Sequence, residues 1–175
     1  MFSPLPHLNL MRDSAIILQG FSNGRHIRAV EVGVRHGKNA VDMLANWDNL
    51  FLFLVDNYKK ADCPDAKAEM LNGVLPFSSR CKFIEKESTE ASKDFEDNSL
   101  DYVYIDAGHT YDDVINDLNA WCPKVKIGGM VAGHDYWVAD VRKAVNDFLT
   151  NREEGLCPVH REGRTQWDWF FIRRK

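Results

Sequence analysis

Short apolar runs alternate with longer amphipathic stretches along this chain. Ile27–Val32 ends at Gly33, and Phe51–Val55 is apolar throughout and stops at Asp56. Lys82–Glu85 is shorter, Tyr102–Ile105 stops at Asp106, and Met130–Ala132 stops at Gly133-His134-Asp135. Continuous apolar runs of this length predict strands covered on both faces, as in a parallel sheet. Between them, Val114, Ile115, Leu118, Trp121 and Cys122 recur at helical spacing, with Thr110 placed to cap and Asp112 and Asp113 in the first turn. Val138, Val141, Val145, Phe148 and Leu149 repeat the pattern, and Ala40–Trp47 and Asp65–Leu75 supply weaker helices. Leu5–Gln19 reads as a helix ahead of the sheet, and Gly128-Gly129 reads as a turn into the fifth strand.

Strand and helix in alternation imply right-handed crossovers and a doubly wound, Rossmann-like α/β sheet. The C-terminus departs from that rhythm. Pro158-Val159-His160 and Trp167–Ile172 read as two strands of a hairpin, so the expected sheet has seven strands and an antiparallel C-terminal strand. Residues 1–175 read as one domain, with 1–26 as an N-terminal helical cap.

Composition narrows the class. The 175 residues are 45% apolar and 27% charged, which are globular proportions, and the formal net charge is −4. That balance provides no electrostatic footprint for nucleic acid, and no apolar run is long enough to span a membrane. Met1-Phe2-Ser3-Pro4 does not open a signal peptide, and Cys63, Cys81, Cys122 and Cys157 form no CxxC pair. The expectation is a cytoplasmic protein with reduced thiols and scope for a homo-oligomer.

Ligands of an open parallel sheet bind beyond the carboxyl ends of its strands, at the switch in strand order. Those ends carry Gly33–Gly37, Asp56, Glu87-Ser88, Asp106–His109 and His134-Asp135. Gly33 and Gly37 either make a tight strand-to-helix turn or let a ligand approach the backbone at a helix start. Asp56 either caps the next turn or accepts hydrogen bonds from two ribose hydroxyls. Arg35 stands where a GxGxxG fingerprint has its middle glycine, which favours a nucleoside ligand without phosphates over a dinucleotide.

Four stretches carry a resemblance: Glu31-Val32-Gly33-Val34-Arg35-His36-Gly37, Leu54–Tyr58, Ser99–Tyr111 with its Asp-Ala-Gly-His-Thr-Tyr core, and Gly128–Tyr136. The chain resembles class I S-adenosylmethionine-dependent methyltransferases, and more narrowly their small-molecule O-methyltransferase-like group. The resemblance implies that Glu31, Gly33 and Gly37 frame the methionine part of the cofactor. It also implies that Asp56 holds the ribose and that Glu87 and Ser88 sit beside the adenine. In relatives, an Asp ending strand four and an acidic pair ending strand five hold a divalent cation. Asp106 and Asp135 match that pattern, while His134 stands where several relatives carry a carboxylate.

Adjacent parallel strands lie about 4.8 Å apart, so carboxylates at two neighbouring ends can share one cation. Oxygen ligands favour Mg²⁺, whereas His134 as a ligand shifts preference toward Mn²⁺, Fe²⁺ or Zn²⁺. Without an ion, Asp106 would orient loop amides and His134 would pack at the sheet end. His109 reads either as a general base for a substrate hydroxyl or as a hydrogen-bond donor fixing the loop before Thr110. The expected activity is methyl transfer to a small-molecule hydroxyl, with Asp106 and His109 as catalytic candidates and metal assistance from Asp106, His134 and Asp135. The rival expectations are an NAD-dependent oxidoreductase, a metal-dependent oxidoreductase or hydrolase on the same scaffold, and a non-catalytic cofactor-binding partner subunit.

Overall fold

The computed structural model describes residues 12–59, 64–159 and 167–174. Its elements run α1 (Asp13–Phe21), β1 (Ile27–Val32), α2 (Lys38–Asn46), β2 (Leu50–Val55), α3 (Ala66–Val74), β3 (Cys81–Ile84) and α4 (Ser88–Ala91). They continue with β4 (Leu100–Ile105), α5 (Tyr111–Trp121), β5 (Val125–Gly133), α6 (Ala139–Leu149), β6 (Cys157–Val159) and β7 (Asp168–Ile172). The seven strands form one sheet in the order β3-β2-β1-β4-β5-β7-β6. Pairings from β3 through β5 are parallel, and β7 runs antiparallel to both β5 and β6. The Rossmann-like fold with an antiparallel C-terminal strand is therefore as the sequence predicts. The connection between β6 and β7, and residues 5–11 of the expected first helix, lie outside the described residues.

Strand alternation divides the core into two layers. Val30, Val32, Val103, Ile105 and Val131 face one side, packed with Val114, Leu118 and Trp121 of α5 and Val141 and Val145 of α6. Ala29, Leu52, Leu54, Tyr102, Tyr104 and Ala132 face the other, with Ala15 of α1, Met43 and Leu44 of α2 and Met70 of α3. Each fully buried large apolar side chain contributes roughly 1.5–3 kcal/mol, so both faces hold the sheet. Thr110 caps α5 as expected: its hydroxyl accepts from the Asp113 amide, and the Asp113 carboxylate in turn accepts from the Thr110 amide.

The fifth strand departs from the prediction. It begins at Val125, five residues early, and Gly128-Gly129 lies inside it rather than ahead of it. Val125 is buried and pairs with Leu100, and the register shifts before Tyr102 pairs with Met130. Gly128, at φ +82°, lies inside this irregular stretch, where a turn reading of two glycines and an interrupted strand look alike in sequence.

The registers place the chemistry. Val32 is level with Val55 and Ile105, and Ile105 with Gly133. The next residues are Gly33, Asp56, Asp106 and His134, so four predicted positions emerge side by side. The switch in strand order falls between β1 and β4, in the middle of this row.

Candidate functional site

One cavity of about 1040 Å³ opens over that rim. All the site residues read from the sequence except Gly37 line it: Glu31, Gly33, Asp56, Glu87, Ser88, Asp106, His109, His134 and Asp135. Gly37 lies just behind, as the N-cap residue ahead of α2, with φ +74°. A Cβ there would press on Met70, and one on Gly33, at φ +86°, would meet the Asp106 carbonyl and Ala107 Cα (2.6 Å). Both positions need glycine, and the backbone between them borders the cavity.

Glu31, the penultimate residue of β1, faces the α2 side of the sheet and is 2% exposed. One of its oxygens accepts from the Asn39 side-chain amide (3.1 Å), while its Oε2 and the Asn39 Oδ1 are buried without a partner. Burial pushes the Glu31 carboxyl up to about 8, against the lowering effect of Asn39. Two orphaned acceptors beside a glycine cradle suit a cationic donor such as an ammonium group.

Asp56 does structural work of its own. Its Oδ2 accepts the Arg35 amide (2.9 Å) and its Oδ1 the Tyr58 amide (2.8 Å). Arg35 and Tyr58 both have left-handed backbones, φ +50° and +49°, and the Tyr58 hydroxyl donates to the Arg35 carbonyl (2.7 Å). The carboxylate thus staples two loops into unfavourable conformations and keeps further lone pairs. Glu87 is exposed and held by Asn57 (2.7 Å) and Lys59 (2.5 Å), which keep its carboxyl below its ordinary range. The Ser88 hydroxyl donates to Asp117 and accepts from Trp121 Nε1 (2.9 Å). Burial raises Asp117 to about 6, despite that hydrogen bond.

At the β4 and β5 ends, Asp106, His134 and Asp135 bring potential ligand atoms within 4.8 Å of one another. His134 Nδ1 lies 3.0 Å from Asp135, and His109 Nε2 lies 2.8 Å from Asp135 and 3.8 Å from Asp106. Hydrogen bonding to Asp106 and Asp135, the latter shorter, pushes His109 up to about 9. Its ring is accordingly charged at neutral pH and donates. Burial opposes charge on Asp135, yet hydrogen bonds from His109, His134 and Trp137 hold its carboxyl well below the usual range. Asp135 also carries a left-handed backbone, φ +58°.

Three participants were not read from the sequence. Arg12, just ahead of α1, approaches His134 Nε2 (2.6 Å) and donates to Asp106 (3.2 Å). Asn39 and Asp117 line the same cavity. Asp117 falls on the helical face carrying Val114, Leu118 and Trp121, and an acid on an apolar face was the available signal. Among the described residues, Cys81, Cys122 and Cys157 are free thiols, and no helix is long and apolar enough to cross a membrane.

The same fold recurs in solved structures at low identity. Precorrin-6y C5,15-methyltransferase from Geobacter metallireducens superposes with a TM-score of 0.70 at 12% identity, covering 99% of this chain and 93% of that one. A SAM-dependent O-methyltransferase from Thermotoga maritima gives 0.67 at 10% identity, covering 93% and 65%. Sequence likeness to curated proteins is local. An uncharacterised protein of Acanthamoeba polyphaga mimivirus is 36% identical over 62 residues, 33% of this chain and 28% of that protein. One of Sinorhizobium fredii is 39% identical over 54 residues, 31% of this chain and only 6% of the relative. The matched regions thus span less than a third of either relative's length. A family model described as a methyltransferase domain matches residues 30–136, from the middle of β1 to just past the end of β5. The chain belongs to this methyltransferase domain family.

Proposed function

We propose that the protein transfers the methyl group of S-adenosylmethionine to a hydroxyl oxygen of a small molecule bound at the Asp106–His109–Asp135 end of the cavity. The observation that carries this reading is the pair of orphaned acceptors, Glu31 Oε2 and Asn39 Oδ1, beside the Gly33 cradle. They match the amino group of the cofactor's methionine part, Asp56 has lone pairs left for the ribose, and Glu87, Ser88 and Asp117 lie where the adenine would end. When bound, S-adenosylmethionine supplies an already activated methyl, so the chain's work is alignment and proton handling.

Those tasks fall to named groups. Gly33 and Gly37 keep the backbone low so that the reactive centre can lie close to the strand ends. Asp106 and His109 stand at the mouth of the acidic cluster, placed to take the acceptor's proton, which His109 does only in its neutral form. Asp106, His134 and Asp135 would hold a divalent cation, which would lower the acceptor hydroxyl's pKa, and an imidazole among the donors favours Mn²⁺ over Mg²⁺. Trp137, 53% exposed and bonded to Asp135 (2.9 Å), offers an aromatic wall beside that end. The balance of charge and a cavity confined to the strand ends suit a small acceptor in a cytoplasmic setting.

Methyl transfer from labelled cofactor into hydroxyl-bearing small molecules, with and without chelator, tests this reading. Label recovered in an ether product supports it; label recovered only on nitrogen or carbon contradicts the oxygen assignment. Asp56→Ala is expected to weaken S-adenosylhomocysteine by roughly 1–3 kcal/mol, as loss of charge-assisted hydrogen bonds should. Asp56→Asn, which keeps one acceptor oxygen for the loop amides, should recover stability before it recovers affinity. Equal affinity in Asp56→Ala and wild type would remove Asp56 from the ribose site.

A further inference from the structure

We propose that Arg12 is the resident cation of the Asp106–His134–Asp135 cluster, and that a divalent ion binds there only by displacing it. The inference rests on the reading of this cluster as the acceptor end of the cavity, and it begins with one lone pair. A guanidinium can only donate, so the 2.6 Å contact between Arg12 and His134 Nε2 makes that nitrogen the acceptor. The ring proton is then on Nδ1, where it faces Asp135 at 3.0 Å. His134 consequently has a single lone pair to offer, and Arg12 already uses it. The other guanidinium arm takes an oxygen of Asp106 at 3.2 Å. Two of the three groups that would ligate an ion are engaged by the same side chain.

The contact is anchored rather than incidental. Two residues on, the buried Ser14 hydroxyl lies 2.9 Å from the Tyr102 hydroxyl and 3.3 Å from Asp168. The Ser14 amide also donates to Asp168 (3.4 Å), which accepts from Tyr104 as well (3.0 Å). Asp168 is 5% exposed and Ser14 fully buried, so this clasp fixes the start of α1 against β4 and β7. The Arg12 guanidinium also lies 5.9 Å from the centre of the Tyr104 ring. The positive charge that an ion would bring to Asp106 is already present in the chain, covalently attached and held in place.

The test is a Mn²⁺ titration without cofactor, read by the loss of free-ion electron paramagnetic resonance signal, on wild type, Arg12→Gln and Ser14→Ala. Arg12→Gln is expected to bind Mn²⁺ at least about tenfold more tightly than wild type, since a like charge and a competing donor leave a partly screened site. Ser14→Ala, which keeps Arg12 but loosens its anchor, should fall between them, and it carries the test if Arg12→Gln does not fold. Adding Asp106→Asn to Arg12→Gln should remove the gained affinity. Equal Mn²⁺ affinity in wild type and Arg12→Gln, or no binding in either, would overturn the proposal. S-adenosylhomocysteine binding on the same samples separates the two readings: its absence strikes the methyl-transfer reading, and unchanged Mn²⁺ affinity strikes this one.

Discussion

Gly33→Ala is expected to lower the melting midpoint by about 10 °C and to weaken S-adenosylhomocysteine binding by more than about tenfold. Two costs combine at this position. A left-handed backbone, φ +86° here, costs an L-residue roughly 1–2 kcal/mol. The added methyl meets the backbone of Asp106 and Ala107 rather than a yielding side chain, and overpacking of that kind costs roughly 1–3 kcal/mol more. At about 2–4 °C per kcal/mol for a chain of this size, the two give the expected drop. Because the obstructing atoms belong to the end of β4, relief can come only by moving Asp106 or the turn. Either movement reshapes the cavity, and scanning calorimetry with a parallel ligand titration checks both effects. A variant with an unchanged midpoint would mean that the two loops are farther apart than the structure places them.

Glu31→Gln should produce the second large effect, with opposite signs for stability and binding. The folded carboxyl is raised to about 8 by burial, from an ordinary value near 4.5. Its contribution to stability is therefore complete below the unfolded value and is lost as pH climbs toward 8. An uncharged glutamine has no such loss, so the free variant should be more stable than wild type at pH 8, by an amount on the order of a few kcal/mol. Cofactor binding runs the other way. An ammonium ion needs the carboxylate, so binding to wild type expels a proton below pH 8, and affinity should rise from pH 6 to 8 by at most about tenfold per unit. The glutamine variant should bind roughly 1.5–3 kcal/mol more weakly at pH 8, with a flat pH profile. Calorimetry in two buffers of different ionisation enthalpy reads the proton release directly; no release from wild type at pH 7 would detach Glu31 from the amino group.

The rim was legible because its residues directly follow apolar runs. Gly33, Asp56, Asp106 and His134 are each the first residue beyond a strand, so local pattern and the logic of a parallel sheet placed them together. The glycine turn was legible for the same reason, since positive φ selects glycine within a few residues of the strand it follows. Partnerships across the chain were not legible. Arg12 and His134 are 122 positions apart, and Ser14 and Asp168 are 154 apart. No spacing rule links an arginine ahead of a helix to a histidine after the fifth strand.

Asp56 carries two readings at once. Its sequence position permits either a turn cap or a ribose acceptor, and the structure shows the first while leaving lone pairs for the second. The two readings are not rivals, because a carboxylate has capacity for both. Tyr102 and Tyr104 counted only as apolar strand positions, yet their buried hydroxyls demand partners and find them in Ser14 and Asp168. That demand ties α1 to the sheet and so brings Arg12 to the cluster. Here a packing requirement in the core determines which cation reaches the site.

This cavity is expected to take a nucleoside with a free amino acid tail, and a calorimetric titration of the wild-type chain at pH 8 tests that most directly. S-adenosylhomocysteine is the titrant, and NAD is the comparison on the same sample. Glu31, Asn39, the Gly33 turn and Asp56 together lead to one S-adenosylhomocysteine bound per chain and no heat from NAD. Heat from NAD with none from S-adenosylhomocysteine, or none from either, would contradict the account.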